Sequence, residues 1–137
     1  MIESLKKTKC TSPEIAAEII KGIIKSYEEH EQGKEHFYVL GLNNKNVIQY
    51  VDLVSIGTVS EAMVHPREVF RYAISKNVSS ILIAHNHPSG DCTPSKEDIK
   101  TTERLVEAGK ILGIPLMDHV IVGESYLSLR EEGLIAE

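Results

Sequence analysis

The sequence predicts an α/β fold: a single mixed β-sheet sandwiched between helices, in the order α-β-β-α-β-α-β-β. Three observations carry this. Strand-like runs alternate with helical patterns along the chain, as expected of a sheet covered by helices. The run "SSILIAH" (79–85) is apolar on both faces, as a central strand is. The 137 residues contain no repeat, low-complexity tract or linker, and they suffice to bury a core, so they read as one domain over 1–137.

Each element follows from local pattern. "TSPEIAAEIIKGIIKSYEEH" predicts a helix over about 13–29, with Ser12 as N-cap and Pro13 in the first turn. Its inward face would carry Ile15, Ile19, Ile20, Ile23, Ile24 and Tyr27. "HFYVLGLNNKNVIQYVDLV" predicts a hairpin of two apolar strands joined by the polar turn Asn43–Asn46. A second helix begins near Pro66, with Val69, Phe70, Ala73 and Ile74 facing inward. After the central strand, a third helix runs from near Ser95 to around Gly113, and "PLMDHVIVG" and "YLSLR" supply two closing strands.

Composition bounds the function. With 42% hydrophobic and 26% charged residues the chain is an ordinary globular one. Cys10 and Cys92 form neither a disulfide framework nor a CxxC pair. The apolar runs are of strand length, well short of the roughly 20 residues of a membrane span. "MIESLKKTKCTSPE" has lysines without an apolar stretch behind them, so no secretory leader is expected and the cytoplasm is the expected location. Net charge is −5, which disfavours a dominant nucleic-acid surface. Lys96, Lys100 and Arg104 fall on one helix face, but Glu97, Glu103 and Glu107 share that helix, as on a solvated face.

The stretch with chemical content is "HNHPSGDCTPSKED", residues 85–98. His85 and His87 lie two apart at a strand end, so their side chains share one side, with Cα atoms about 6.5 to 7 Å apart. Both imidazoles can reach one ion, and a carboxylate is a frequent third partner. Asp98 follows a Pro- and Gly-broken loop that can turn the next helix back towards the strand end. Plainer readings exist for each residue alone. A histidine at a strand end is usually structural or exposed, and Ser95 with Asp98 fits a capping box that needs no metal. The paired histidines favour a metal, because two buried imidazoles have no evident packing purpose and repel once protonated. Other metal chemistries fit worse. Zinc deaminases need H-x-E followed by P-C-x-x-C, and zincins need H-E-x-x-H on a helix. The letters "HNH" match a nuclease name only in spelling.

His85, His87, Ser95 and Asp98 match the H-x-H-x₇-S-x₂-D signature of JAMM (MPN-plus) metalloproteases. The segments "GTVSEAMVHPREVFRYAI", "ILIAHNHPSGDCTPSKEDIKTTERLVEAGKILGIPLMDHVIVG" and "SLREEGL" resemble the RadC family, the bacterial branch with a JAMM-type domain, from about Thr11 to Leu134. The resemblance does not include the N-terminal helix-hairpin-helix region that many RadC proteins carry. It implies a deaminase-like fold and one zinc ion per chain held by His85, His87 and Asp98, with water in the fourth position. It also implies a glutamate before an early apolar strand. Glu35 stands there, whereas residue pattern alone leaves Glu31 and Glu61 equally eligible. Glu35 would be the proton acceptor and Ser95 the oxyanion donor in hydrolysis of peptide or isopeptide bonds, with a peptide or protein as substrate. Asp118 and His119 also fit the family text. They read either as an exposed pair at a strand start or as residues of a substrate groove or of the surroundings of the metal ligands. A DNA-repair accessory role, the family's traditional label, and a non-catalytic interaction module are the competing functions.

Overall fold

A computed structural model describes residues 3–135. A short 3-10 turn, Glu3–Leu5, is followed by α1 (Pro13–Lys25), α2 (Glu29–Gln32), β1 (His36–Leu42) and β2 (Ile48–Ile56). Then come α3 (Pro66–Ser75), β3 (Ser80–Asn86), α4 (Lys96–Leu112), β4 (Leu116–Val122) and β5 (Tyr126–Ser128). The strands form one mixed sheet in the order β2-β1-β3-β4-β5. Only the β3–β4 pair is parallel; the others are antiparallel. The α/β class and the interleaving of helices and strands are as the sequence predicts.

Two apolar layers cover the sheet. On one face α1 contributes Ala16, Ala17, Ile20 and Ile23, packed with Tyr38, Leu40, Leu82, Ala84 and Val120. On the other, Val69, Phe70 and Ala73 of α3 and Leu105 of α4 pack with Phe37, Val39, Ile81 and Ile83. β1 and β3 are therefore buried along their whole length, which explains their unbroken apolar runs. Leu105 is fully buried, and its truncation to alanine would cost about 2–5 kcal/mol and loosen the helix that carries Asp98.

Local signals act as read at most helix ends. The Ser12 hydroxyl accepts the Ile15 amide at 3.2 Å with Pro13 next to it, and α4 ends at Gly113, whose φ of 73° suits the left-handed C-cap. The Asn43 side chain accepts the Lys45 and Val47 amides at 2.9 and 3.0 Å and closes the hairpin turn. Three details differ from expectation. α1 stops at Lys25 because the Ser26 hydroxyl and amide both turn back to the Ile23 carbonyl, so Tyr27 lies beyond the helix and its hydroxyl meets that of Tyr38. Ile74 is 57% exposed, not inward: it sits beside Ala73 in the last turn of α3, on the outer face. β5 covers only three residues before the chain turns at Leu129 and Arg130. Cys10 and Cys92 are free thiols, and burial pushes that of Cys10 up to about 11.

Candidate metal centre

The antiparallel β1–β3 pair sets Phe37 opposite His85, so the residue entering β1 lies beside the residues leaving β3. Alternation puts Ile81, Ile83 and His85 on the α3/α4 face and continues to His87 just past the strand. The two imidazoles converge: His85 Nε2 and His87 Nε2 are 3.0 Å apart. His85 is fully buried, and the His87 side chain is 15% exposed. The His87 ring is anchored from behind, its Nδ1 lying 2.8 Å from the Asp91 carbonyl oxygen. A carbonyl only accepts, so Nδ1 carries the proton and Nε2 is left bare.

Asp98 completes the convergence from the first turn of α4. Its Oδ1 is 3.4 Å from His85 Nε2 and its Oδ2 is 3.2 Å from His87 Nε2. The capping box predicted from Ser95 and Asp98 is present: Ser95 Oγ accepts the Asp98 amide at 3.0 Å and Asp98 Oδ2 accepts the Ser95 amide at 2.9 Å. The cap and the cluster thus use the same carboxylate. Burial alone would push the Asp98 carboxyl up. The neighbouring His85 ring and the hydrogen bond from the Ser95 amide outweigh it and hold Asp98 well below the usual carboxylate range. Ser95 itself is exposed, and its cap uses an oxygen lone pair, which leaves its proton available to a ligand.

Glu35 faces the same point from just before β1. Its Oε1 is 3.8 Å from His85 Nε2 and 4.0 Å from His87 Nε2, and these three atoms form a metal-capable group. Two carboxylates therefore compete for the third ligand position. Tetrahedral zinc with ligands at 2.0–2.1 Å requires donors spaced about 3.3–3.4 Å apart. The His85–His87–Asp98 spacings of 3.0, 3.4 and 3.2 Å lie close to that value, and Glu35 stands further back, on the more exposed side. Two imidazoles with a carboxylate beside them, Glu35 on the exposed side and Asp98 on the buried side, are a donor set that could hold a metal ion.

The placement of Glu35 comes from a residue that the sequence pattern passes over. Asn86, between the two histidines, points to the opposite side of β3. Its Oδ1 accepts the His36 amide at 2.7 Å and its Nδ2 donates to the Lys34 carbonyl at 2.9 Å. Both peptide groups flanking Glu35 are thereby pinned. Strand alternation was the signal that could have singled Asn86 out. Glu31 instead pairs with Lys34 at 2.7 Å, and Glu61 is an exposed residue whose backbone carbonyl accepts from Arg104 at 3.0 Å. Neither joins the metal-capable group found among the described residues.

Asp118 and His119 are not an exposed pair. They are 6% and 0% exposed, and they point to opposite faces of β4. Asp118 Oδ1 accepts the amides of His119 and Arg130 at 2.7 and 3.0 Å, while its Oδ2 accepts the Ser128 hydroxyl at 2.5 Å. It staples β4 to the end of β5 and does not line the cluster. His119 lies behind His85, with Nε2 2.8 Å from His85 Nδ1, and burial holds its imidazole well below the ordinary histidine range. His119 is thus enclosed among the residues that surround the candidate metal ligands, whereas Asp118 borders a surface cavity with Cys10, Met117 and Arg130.

A family model described as RadC-like JAB domain matches residues 10–134. A UPF0758 protein of Clostridium acetobutylicum is 45% identical over 134 residues, covering 97% of this chain and 56% of that protein. One from Caldanaerobacter subterraneus subsp. tengcongensis is 56% identical over 101 residues, which is 73% of this chain and 43% of the relative. A third, from the Langeland strain of Clostridium botulinum, is 55% identical over 103 residues, or 74% and 45% of the two chains. The chain spans about half the length of the curated relatives it matches. Every residue of the cluster lies within the matched span, and the chain belongs to the family of RadC-like JAB domains.

Proposed function

We propose that the domain is a zinc-dependent metallohydrolase that cleaves peptide or isopeptide bonds. The observation that carries this reading is the convergence of His85, His87 and Asp98 at 3.0–3.4 Å, with Glu35 Oε1 behind them at 3.8–4.0 Å. His85 Nε2, His87 Nε2 and Asp98 would hold the ion. A bound zinc with an open position supplies Lewis acidity and lowers the pKa of water there from about 15.7 to about 7. Glu35 Oε1 accepts the proton of the attacking water and returns it to the departing nitrogen, so the amine leaves neutral. The Ser95 Oγ–H donates to the oxyanion that develops on the substrate carbonyl, a contact of a kind typically contributing about 2.7–4 kcal/mol. The Asn86 clamp keeps Glu35 in register during both transfers.

Metal quantification on protein purified without chelator tests the ligand set. About one zinc per chain is expected, lost in His85→Ala, His87→Ala and Asp98→Ala; full zinc in any two of these variants overturns the assignment. A peptide-library cleavage screen with and without chelator then tests the reaction. Glu35→Gln should keep the metal and lose cleavage, and parental cleavage by that variant would move the base elsewhere.

A further inference from the structure

The buried side of the cluster contains a chain of polar contacts that the hydrolytic chemistry does not use. Thr102 Oγ1 lies 2.7 Å from the Asp98 carbonyl oxygen and 2.6 Å from His119 Nδ1, and His119 Nε2 lies 2.8 Å from His85 Nδ1. Thr102 is 1% exposed, and His119 and His85 are 0% exposed, so water cannot stand in for any member.

The direction of every hydrogen in this chain follows from one end. A hydroxyl has a single proton, and the Asp98 carbonyl can only accept it. With that proton committed, the Thr102 oxygen must accept from His119, so His119 carries its hydrogen on Nδ1. A neutral imidazole has one N–H, which leaves His119 Nε2 as an acceptor for His85 Nδ1–H. His85 Nε2 is then bare, and it is the atom that faces His87 and Asp98. Reversing the chain would set the Thr102 and Asp98 oxygens 2.7 Å apart without a proton between them and put a hydrogen on His85 Nε2, where no metal could bind. The anchor is itself part of the site: the carbonyl belongs to Asp98, whose carboxylate meets His85 from the other side.

We propose that Thr102 and His119 are positioning residues that lock His85 in the tautomer with a bare Nε2. They would work through a hydroxyl–imidazole relay in place of the single carboxylate or carbonyl that usually backs a metal-ligating histidine. The consequence for metal binding rests on the zinc reading above; the tautomer assignment does not.

Nitrogen–proton correlation spectra of the histidine rings in the metal-free full chain test the lock directly. His85 and His119 are both expected in the Nδ1–H form, and His85 in the Nε2–H form overturns the proposal. Thr102→Val removes the hydroxyl at nearly constant volume and should mix the His119 and His85 tautomers. It should also weaken zinc binding about 10- to 100-fold in chelator competition. Thr102→Ser keeps the relay and should stay near the parent in both measurements. Parental zinc affinity and parental spectra in Thr102→Val, or a loss in Thr102→Ser as large as in Thr102→Val, would reduce Thr102 to a packing role and overturn the proposal. If Thr102→Val does not fold, the parent spectrum and Thr102→Ser still decide it. A parent that takes up no zinc would end the zinc reading, while its spectrum still decides the relay.

Discussion

Replacing Asn86 with alanine should separate the placement of Glu35 from the binding of metal. The carboxamide of Asn86 spans the strand gap to hold the His36 amide at 2.7 Å and the Lys34 carbonyl at 2.9 Å, and Glu35 is suspended between those two groups. His36 is 1% exposed, so no solvent reaches its N–H when the partner is removed. A buried donor left unpaired costs about 1–3 kcal/mol, which sets the expected loss of stability. The second effect is geometric. Glu35 Oε1 stands 3.8 Å from His85 Nε2, and a shift of about 1 Å in a reacting group can cost about 10²-fold in rate. None of the three proposed metal donors is touched. Urea denaturation, metal analysis and turnover of a peptide found by screening, all on the same protein, should therefore show a modest destabilisation, full zinc and a large kinetic deficit. Asn86→Asp keeps an acceptor for His36 but turns an oxygen on the Lys34 carbonyl, and should recover only part of the loss. A stable, zinc-loaded Asn86→Ala protein that works at the parental rate would refute the reasoning.

Ser95→Ala should cost roughly 0.5–2 kcal/mol as a lost cap and lower turnover by about 10² to 10³. Ser95→Asn should restore the melting temperature but not the rate; a stable and fast asparagine variant would leave Ser95 a cap only. The metal-free protein should lose stability as pH falls from about 6.5, because His119 titrates lower in the folded state than in the unfolded chain, which then binds the extra proton. The slope is at most about 1.4 kcal/mol per pH unit for that one group, and thermal melts unchanged between pH 7.5 and about 5 would contradict it. The stability due to Asp98 is retained until about pH 3.9 and lost below, as its depressed carboxyl is finally protonated. Duplex DNA should bind weakly and release as salt rises, given the net charge of −5; a sub-micromolar complex at physiological salt would favour the nucleic-acid reading.

What could be read without the structure was local. Ser12–Pro13, Ser95–Asp98 and Gly113 each act within one turn of a helix, and their cap geometries need no tertiary contact. The HxH pair is legible because strand period is a local property. The features missed depend on residues distant in sequence. Tyr27 looked helical by spacing, yet it sits after the helix end and meets Tyr38 from the sheet. Asp118 looked exposed, and its burial depends on Ser128 and the Arg130 amide arriving from the next strand. His119 is 34 residues from His85 and reaches it only because β3 and β4 run parallel. Thr101 and Thr102 gave α4 a polar mark on its buried side, a hint of something other than packing.

The burial of β1 and β3 on both faces has a consequence for how the site opens. Strands covered on both sides belong to the part of a protein whose amides exchange with solvent only on global unfolding. The His87 amide still belongs to that region, held on the Val122 carbonyl at 2.7 Å, whereas the loop after it is exposed at Pro88, Ser89, Asp91 and Thr93. Protection against hydrogen exchange should therefore fall abruptly between His87 and Ser89. His85, on β3, would stay fixed on every timescale short of unfolding, whereas fluctuation of the loop would reach His87 through the Asp91 carbonyl that backs it.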